Sequence, residues 1–158
     1  LQEQALKSDW IVLASSSGGT QAGMVLGGKQ TGFTGRILGI SVDKLATELT
    51  QTIIALANQT ATYLNMGVEI TPQDVFVNDA YCQAGYGNLQ PAEVEAIQLF
   101  ARTEGILLDP VYTSRAAAGL IDLIRKGFFS PNETVLFWHT GGIPALFAEP
   151  YASALLGS

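Results

Sequence analysis

Charged residues, cysteine and histidine are all scarce in this sequence of 158 residues. Only 14 % of the residues are charged, against roughly 25 % in an average globular protein. The single cysteine, Cys82, excludes an intrachain disulfide framework and a thiolate metal cluster. The single histidine, His139, argues against a zinc site built from histidines. Low charge combined with 47 % hydrophobic residues indicates much buried surface, as in an oligomer subunit or a part of a larger molecule.

The sequence also lacks the features that direct a chain to a membrane or to nucleic acid. It contains no run of about 18 apolar residues that could span a bilayer, and no signal-peptide pattern at its start. A net charge of −6 disfavours a nucleic-acid partner. We therefore expect a cytoplasmic protein whose residues 1–158 form a single domain.

The start of the chain predicts that it belongs to something longer. The sequence begins at Leu1 rather than at methionine, and residues 1–8 have the composition of a helix end without a start signal. A chain shortened by only a few residues would begin in the same way. We expect a piece of a longer protein.

Apolar segments that suit buried strands alternate along the chain with segments of helical character. The predicted strands are residues 10–14, 36–41, 75–77, 106–108 and 134–138. The predicted helices are residues 20–26, 44–66, 91–102, 115–126 and 144–147. Asp43 is the predicted N-cap of the second helix, Thr113 or Ser114 that of the fourth, and residues 27–32 are a predicted loop. The alternation predicts an α/β fold with three layers, an open parallel sheet carrying helices on both faces.

The turn after the first predicted strand has the composition of an anion site. Three serines and two glycines occupy residues 15–19, and the next helix starts at Thr20. Backbone N–H groups at a helix N-terminus attract a phosphate, glycine lets the backbone approach it, and hydroxyl groups add donors. The spacing matches neither a Walker A loop nor a dinucleotide fingerprint. A tight strand-to-helix turn without a ligand is the alternative.

Three more loops rich in small residues follow predicted strands, at residues 78–88, 109–114 and 139–142. Because the carboxyl ends of parallel strands meet at one edge of the sheet, where ligands bind, we expect these loops to form one crevice with the first turn. Two of them carry an aromatic residue, Tyr86 and Tyr112. Each ring can stack on a flat ligand or pack on neighbouring loops.

The same loops carry hydroxyl groups, one imidazole and one thiol. Thr113 and Thr140 can donate to a ligand, although each also suits a helix cap. We interpret His139 as structural rather than as an acid–base group. Cys82 is interpreted as unreactive, because no nearby basic residue lowers its pKa.

Several segments, in chain order, resemble one enzyme family. They are Ser16-Ser17-Gly18-Gly19-Thr20-Gln21-Ala22-Gly23, Gly85-Tyr86-Gly87, residues 101–113 with Asp109-Pro110-Val111-Tyr112-Thr113, residues 118–120, and residues 135–147 with His139-Thr140-Gly141-Gly142. Together they resemble the C-terminal part of the D-cysteine desulfhydrase and 1-aminocyclopropane-1-carboxylate deaminase family. These are pyridoxal-phosphate enzymes of fold type II, the tryptophan-synthase-β-like fold. The resemblance implies the C-terminal part of a large cofactor-binding domain without the enzyme's N-terminal half, a small amino-acid substrate and a homodimer.

The resemblance also assigns roles. The residues implied to bind pyridoxal 5'-phosphate are Ser16, Ser17, Gly18, Gly19, Thr20, Tyr112, Thr113 and Thr140. The serines, glycines and Thr20 would hold the phosphate, Tyr112 would lie against the pyridine ring, and Thr140 would bond to the ring nitrogen. A neutral hydroxyl there makes the ring a milder electron sink, which suits elimination. Tyr86, on the substrate side, and Tyr112 are the implied catalytic residues, and no metal is implied.

Two positions favour one branch of the family. In the cyclopropane deaminases, Glu is expected after the tyrosine of the Asp-Pro-Val-Tyr stretch and Leu before the Gly-Gly pair, where this sequence has Thr113 and Thr140. The sequence therefore resembles enzymes that convert D-cysteine to pyruvate, ammonia and sulfide by α,β-elimination. A 1-aminocyclopropane-1-carboxylate deaminase and a cysteate sulfo-lyase are the alternatives within the family.

The family's Schiff-base lysine has no counterpart in this sequence. It lies in the N-terminal half of those enzymes, and the lysines at positions 7, 29, 44 and 126 do not match it. We therefore expect the longer protein to be a lyase and this chain alone to be inactive. A non-catalytic module that binds a phosphorylated ligand or a partner chain is the alternative of a different class.

Overall fold

A parallel sheet lies at the centre of the computed structural model, which describes residues 6–156. Its strands are β1 (Trp10–Ser15), β2 (Arg36–Ser41), β3 (Phe76–Asn78) and β4 (Val135–Phe137), in the spatial order β3-β2-β1-β4. Each neighbouring pair is parallel. The carboxyl ends of β1 and β4 are therefore side by side at one edge of the sheet.

Helices cover both faces of this sheet. They are α1 (Gly19–Thr31), α2 (Ala46–Tyr63), α3 (Pro91–Glu104), α4 (Thr113–Arg125) and the short α5 (Tyr151–Leu156), with 3-10 turns at Pro72–Asp74 and Ile143–Phe147. Helices α1 and α2 pack on one face, α4 packs on the other, and α3 packs against α4. The predicted three-layer α/β fold is confirmed. Within the described residues, no helix has both the length and the apolar character that crossing a membrane requires.

The central strands are apolar on both sides because both sides are buried. Ile11 and Leu13 of β1 pack with α1 and α2, while Trp10 and Val12 pack with α4. Val12 and Leu13 are completely inaccessible to solvent. Successive side chains of a strand point to opposite faces, so a strand between two helical layers needs a continuous apolar run.

Helix α1 is longer than predicted. It runs through Gly27 and Gly28 to Thr31, where Gly32 ends it with φ of 72°, so the predicted loop at residues 27–32 was wrong. Glycine inside a helix costs about 1 kcal/mol relative to alanine, but burial of Val25 and Leu26 against the sheet outweighs that cost. The local glycine signal was overridden by tertiary packing.

The predicted strand at residues 106–108 was also wrong. In the described chain this segment has no regular secondary structure and joins no sheet. Leu108 is fully buried in the cluster between α3 and α4. The carbonyl of Leu107 accepts a hydrogen bond from His139 Nε2 at 3.0 Å. A side chain thus satisfies this carbonyl, which in a strand would bond to the backbone of a neighbouring strand.

Three boundaries near the helix ends need correction. Asp43 does not cap α2: the helix begins at Ala46, whose N–H donates to the Asp79 carboxylate at 2.7 Å. The stretch after residue 147 contains α5, which was not among the predicted helices. Of the predicted helix end at residues 1–8, residues 6–8 are not helical and residues 1–5 lie outside the described part.

Candidate functional site

The turn between β1 and α1 leaves donor groups free at the sheet edge. Gly18 is the N-cap of α1 and has φ of 82°, a left-handed conformation that favours glycine. The first helical bond runs from Ala22 N–H to the Gly18 carbonyl at 2.8 Å. No side chain caps this end, and the first turn of α1 contains no acidic residue. The N–H groups of the first turn are therefore available to an anion.

This turn forms one wall of a cavity of about 120 Å³. The cavity is lined by Ala14, Ser15, Ser16, Ser17, Gly18, Thr20, Tyr112 and Thr140. Three segments that are distant in sequence thus meet at the carboxyl ends of β1 and β4. Gly19 and Thr113, both implied by the resemblance as cofactor ligands, are not among the lining residues.

Ser15, one of the three serines of the predicted anion turn, lines this cavity although it is not among the cofactor ligands that the resemblance implies. Its side chain is buried, and its Oγ has no hydrogen-bond partner among the described residues. A buried hydroxyl without a partner costs roughly 1–3 kcal/mol, and a bound acceptor would recover that cost. Hydroxyl groups, free N–H groups and a glycine N-cap together fit the phosphate of pyridoxal phosphate.

Tyr112 is held at the cavity by a buried carboxylate. Asp109 is 1 % exposed, and its Oδ2 accepts from the N–H groups of Val111 and Tyr112, both at 2.8 Å. Its Oδ1 accepts from the N–H of Thr113 at 2.6 Å. An acidic group at the start of α4 also interacts favourably with the helix dipole. Asp109 was missed because its function depends on three consecutive N–H groups turning towards it.

Thr113 belongs to the same buried arrangement. Its Oγ1 donates to Asp109 Oδ1 at 2.7 Å and accepts from the N–H of Asp109 at 2.8 Å. Neither Thr113 nor Ser114 is the N-cap of α4, which begins at Thr113 with Tyr112 in the cap position. The prediction of a cap at Thr113 or Ser114 was therefore wrong, because Asp109 supplies the capping acceptor.

The two tyrosines of the site are in contact. The hydroxyl groups of Tyr86 and Tyr112 share a hydrogen bond, and the rings meet edge to face with centroids 5.8 Å apart. This hydrogen bond, followed by partial burial, raises the pKa of Tyr112 to about 12. Tyr86 is 55 % exposed and Tyr112 37 %, but only Tyr112 is among the residues that line the cavity.

The loop after β4 is shaped by a histidine and a glycine. His139 Nδ1 accepts the N–H of Gly141 at 3.0 Å, so its ring proton lies on Nε2 and is donated to Leu107. At Gly142, where φ is 91°, an added Cβ would lie 2.8 Å from the Cβ of Asp109. The loop that presents Thr140 is thus fitted closely against the Asp109 turn, and both ring nitrogens of His139 have backbone partners.

Cys82 lies away from the cavity, in the loop that carries Tyr86. Its Sγ donates to the Asp79 carbonyl at 3.1 Å. Burial, followed by the charge of Asp79, raises the pKa of the thiol. A raised pKa keeps the thiol protonated at neutral pH and therefore poorly nucleophilic.

Comparison with known proteins gives the chain its relatives. Residues 1–141 match the family described as pyridoxal-phosphate dependent enzyme. The chain is 40 % identical, over 143 residues, to a 1-aminocyclopropane-1-carboxylate deaminase of Burkholderia multivorans, which covers 90 % of this chain and 42 % of that protein. It is 38 % identical, over 150 residues, to the enzyme of the same name from Pseudomonas syringae pv. tomato, covering 95 % and 44 %.

A solved structure extends the likeness to three dimensions. The structure, described as an ACC deaminase homologue, matches with a TM-score of 0.83 and 38 % identity, covering 96 % of this chain and 44 % of that one. The chain therefore spans less than half the length of these relatives. The sequence match and the shared parallel sheet agree that this chain belongs to the pyridoxal-phosphate dependent enzymes, with fold type II.

Proposed function

We propose that the full-length protein containing this chain is a pyridoxal-phosphate dependent lyase that acts on D-cysteine. The observation that carries the proposal is the cavity where Ser15–Gly18, Tyr112 and Thr140 meet. When bound, the cofactor supplies an electron sink for bonds that break next to the substrate amino group. The side chains of this chain would bind the cofactor phosphate, contact its ring and orient the substrate.

The proposed phosphate site is the start of α1. The hydroxyls of Ser16, Ser17 and Thr20 and the N–H groups that follow Gly18 would hold the phosphate. Gly18 supports this role because a side chain at its φ of 82° would be strained and would meet Ile53 Cγ1 at 3.0 Å. Ser15 adds a buried hydroxyl without another partner.

We further propose that Tyr112 lies against the cofactor ring and that Tyr86 lies on the substrate side. The hydrogen bond between the two phenols is the main cause of the raised pKa of Tyr112, which is about 12. The Tyr112 hydroxyl therefore stays protonated at neutral pH, and we propose that the pair orients the substrate or its leaving group by hydrogen bonding. Tyr112 lines the cavity, and its hydrogen bond to Tyr86 brings the Tyr86 hydroxyl next to this wall.

Thr140 is the residue proposed to set the reaction type. Its position in the cavity wall leaves its hydroxyl available to a pyridine nitrogen, and a neutral hydroxyl there would favour elimination. Thr113, which bonds to Asp109, would contribute to the site by shaping the turn that holds Tyr112. Elimination of D-cysteine to pyruvate, ammonia and sulfide is therefore the preferred activity.

A 1-aminocyclopropane-1-carboxylate deaminase is the second candidate. The names of the curated relatives favour it. A cysteate sulfo-lyase is another candidate from the same family. A binding module without catalytic activity is the candidate of a different class. The homodimer and cytoplasmic location predicted from the sequence belong to the same proposal.

The covalent attachment point of the cofactor is proposed to lie outside this chain. No lysine is among the residues that line the cavity, and Lys29 and Lys126 pair with Asp74 and Asp122 at 2.7 and 2.6 Å. This chain alone is therefore proposed to be inactive. Adding purified chain to pyridoxal phosphate and D-cysteine should release no sulfide above the rate without protein.

Product assays on the full-length protein separate the candidates. Sulfide release from D-cysteine but not from L-cysteine supports the preferred activity. Ammonia release from 1-aminocyclopropane-1-carboxylate without sulfide from D-cysteine would replace it with the deaminase, and sulfite from cysteate with the sulfo-lyase. If the purified protein retains no cofactor and none of the three substrates reacts, the lyase proposal is contradicted.

A further inference from the structure

The segment that carries Tyr86 has no regular secondary structure of its own. Residues 79–90, here called the Tyr86 loop, connect β3 to α3 and contain neither helix nor strand. The Tyr86 side chain is itself 55 % exposed, so packing alone does not fix it. The position of its hydroxyl against Tyr112 must be determined by whatever holds the backbone on either side.

Arg115 of α4 holds the backbone of the Tyr86 loop both before and after Tyr86. Its guanidinium is almost completely buried and donates to the carbonyl of Gly85 at 2.9 Å and of Asn88 at 3.0 Å. It also donates to the Val42 carbonyl, at the carboxyl end of β2, at 2.6 Å. One side chain therefore ties the Tyr86 loop to the sheet and to α4.

Glu93 completes this arrangement from α3. Its Oε1 accepts from Arg115 Nε at 2.8 Å, and its Oε2 accepts from the Gln90 N–H at 2.9 Å. The Arg115 and Glu93 side chains are only 2 % and 5 % exposed. A planar guanidinium with several fixed acceptors is a rigid support, which a lysine ammonium cannot reproduce.

Tyr151 holds the backbone after Tyr86. Its hydroxyl donates to the carbonyl of Gly87 at 2.7 Å. A cavity of about 500 Å³ lies between α5 and this part of the loop and is lined by residues of both. Because this cavity separates much of α5 from the loop, the hydrogen bond from Tyr151 to Gly87 is an important contact between them.

We propose that Arg115 and Tyr151 are positioning residues for Tyr86, holding the carbonyl groups of Gly85 and Gly87 on either side of it. This inference rests on the proposed role of Tyr86 in the lyase site. Neither side chain lines the cavity at the start of α1. Both act through the loop backbone, which sets the distance between the Tyr86 and Tyr112 hydroxyl groups.

The test compares two variants of the full-length protein with a matched control. Tyr151→Phe removes one hydroxyl, and Arg115→Lys keeps a charge beside Glu93 but loses the guanidinium fork. Tyr63→Phe, at a tyrosine that is 85 % exposed, is the control. The pKa of Tyr112 is measured by NMR of ring-labelled tyrosine. The signal that is missing from the Tyr112→Phe spectrum identifies Tyr112. Steady-state kcat and KM for D-cysteine are measured in parallel.

In both variants the pKa of Tyr112 should fall from about 12 towards the ordinary value near 10. Their kcat should fall about 10- to 100-fold, the size expected from a misplaced catalytic group. The control should change neither quantity. If Tyr112 keeps its pKa in both variants, the positioning role is wrong, whatever the activity. Should the wild type turn over no substrate, the proposed function fails while the titration still decides the positioning role.

Discussion

The two parts of the site that carry its proposed ligand contacts are built in opposite ways. The turn at residues 15–19 joins a buried strand directly to a helix, and its geometry follows from regular backbone hydrogen bonds and one glycine with φ of 82°. The Tyr86 loop has no regular structure and is fixed by side chains from α4 and α5. One part is therefore rigid through its backbone and the other through distant side chains.

This difference matches the different demands on the two parts. A phosphate anchor needs donors in a fixed arrangement, which a helix N-terminus provides without further support. A group near the substrate must sit beside a partner on another loop, here Tyr112, with which Tyr86 shares a hydrogen bond. Side-chain supports make such a position sensitive to substitutions far from the cavity. The predictions below test this contrast.

The largest effect is expected when the support of the Tyr86 loop is removed outright. Arg115→Met leaves the buried Glu93 carboxylate unpaired and should lower the free energy of unfolding by about 3–5 kcal/mol. Urea denaturation of the full-length protein measures this change. Arg125→Met is the control, because its partner Glu95 and Arg125 itself are 51 % and 59 % exposed, and an exposed pair contributes about 0–1 kcal/mol. If the two substitutions lower the free energy of unfolding equally, Arg115 does not support the Tyr86 loop in the way proposed.

A smaller effect is expected when the backbone of the first turn is disturbed. Gly18→Ala forces a side chain into a left-handed conformation and to within 3.0 Å of Ile53. It should cost about 1–3 kcal/mol of stability and weaken cofactor retention.

Gly23→Ala provides the comparison within the same helix, since an added Cβ there would meet nothing within 4 Å beyond the adjacent residues and the backbone of α1 itself. It should stabilise the protein by about 0.4–1 kcal/mol. Thermal unfolding and the cofactor content after dialysis distinguish the two variants. If the two variants have the same stability and the same cofactor content, the phosphate site does not depend on the backbone conformation of Gly18.

The link between the two parts is tested by titration. Tyr86→Phe removes the hydrogen bond that is the main cause of the raised pKa of Tyr112, which should fall from about 12 towards 10. The sign follows from linkage. A folded-state pKa above the unfolded value stabilises the protein fully below pH 10, and this stabilisation is lost as the pH rises towards 12. The variant should therefore lose less stability than the wild type across that interval, as measured by denaturation at several pH values.

The smallest effect is expected at the ring nitrogen. Thr140→Val removes the hydroxyl and keeps the shape, so a lost hydrogen bond of about 0.5–1.5 kcal/mol should reduce kcat for D-cysteine by roughly 2- to 10-fold. Thr140→Ser keeps the hydroxyl and should retain most of the activity. Steady-state kinetics of both variants provide the measurement, and equal kcat values would remove Thr140 from the proposed mechanism.

The contrast also explains what the sequence could predict. The β1–α1 turn follows from local signals: an apolar run, small residues and a helix start are contiguous at residues 11–26. The alternation of strands and helices likewise predicted the parallel sheet and its edge. The missed features depend on residues far apart in sequence. Arg115 and Gly85 are 30 positions apart in the sequence, and Tyr151 and Gly87 are 64 positions apart.

Local signals also failed where tertiary contacts compete with them. Residues 106–108 have the composition of a strand, but His139 and the α3–α4 cluster provide other partners for Leu107 and Leu108. Asp43 precedes a helix in the way an N-cap does, yet Asp79 from another loop supplies the acceptor. An arginine beside three alanines in a helix that packs on the sheet was the one available sign of the buried Arg115.

A crystal structure of the full-length protein with its cofactor bound tests the proposed phosphate site. We expect the phosphate oxygens to lie within about 2.7–3.2 Å of the first N–H groups of α1 and of hydroxyls from residues 15–17 and Thr20, with the ring against Tyr112. A cofactor phosphate bound elsewhere, with the start of α1 occupied only by water, would contradict it.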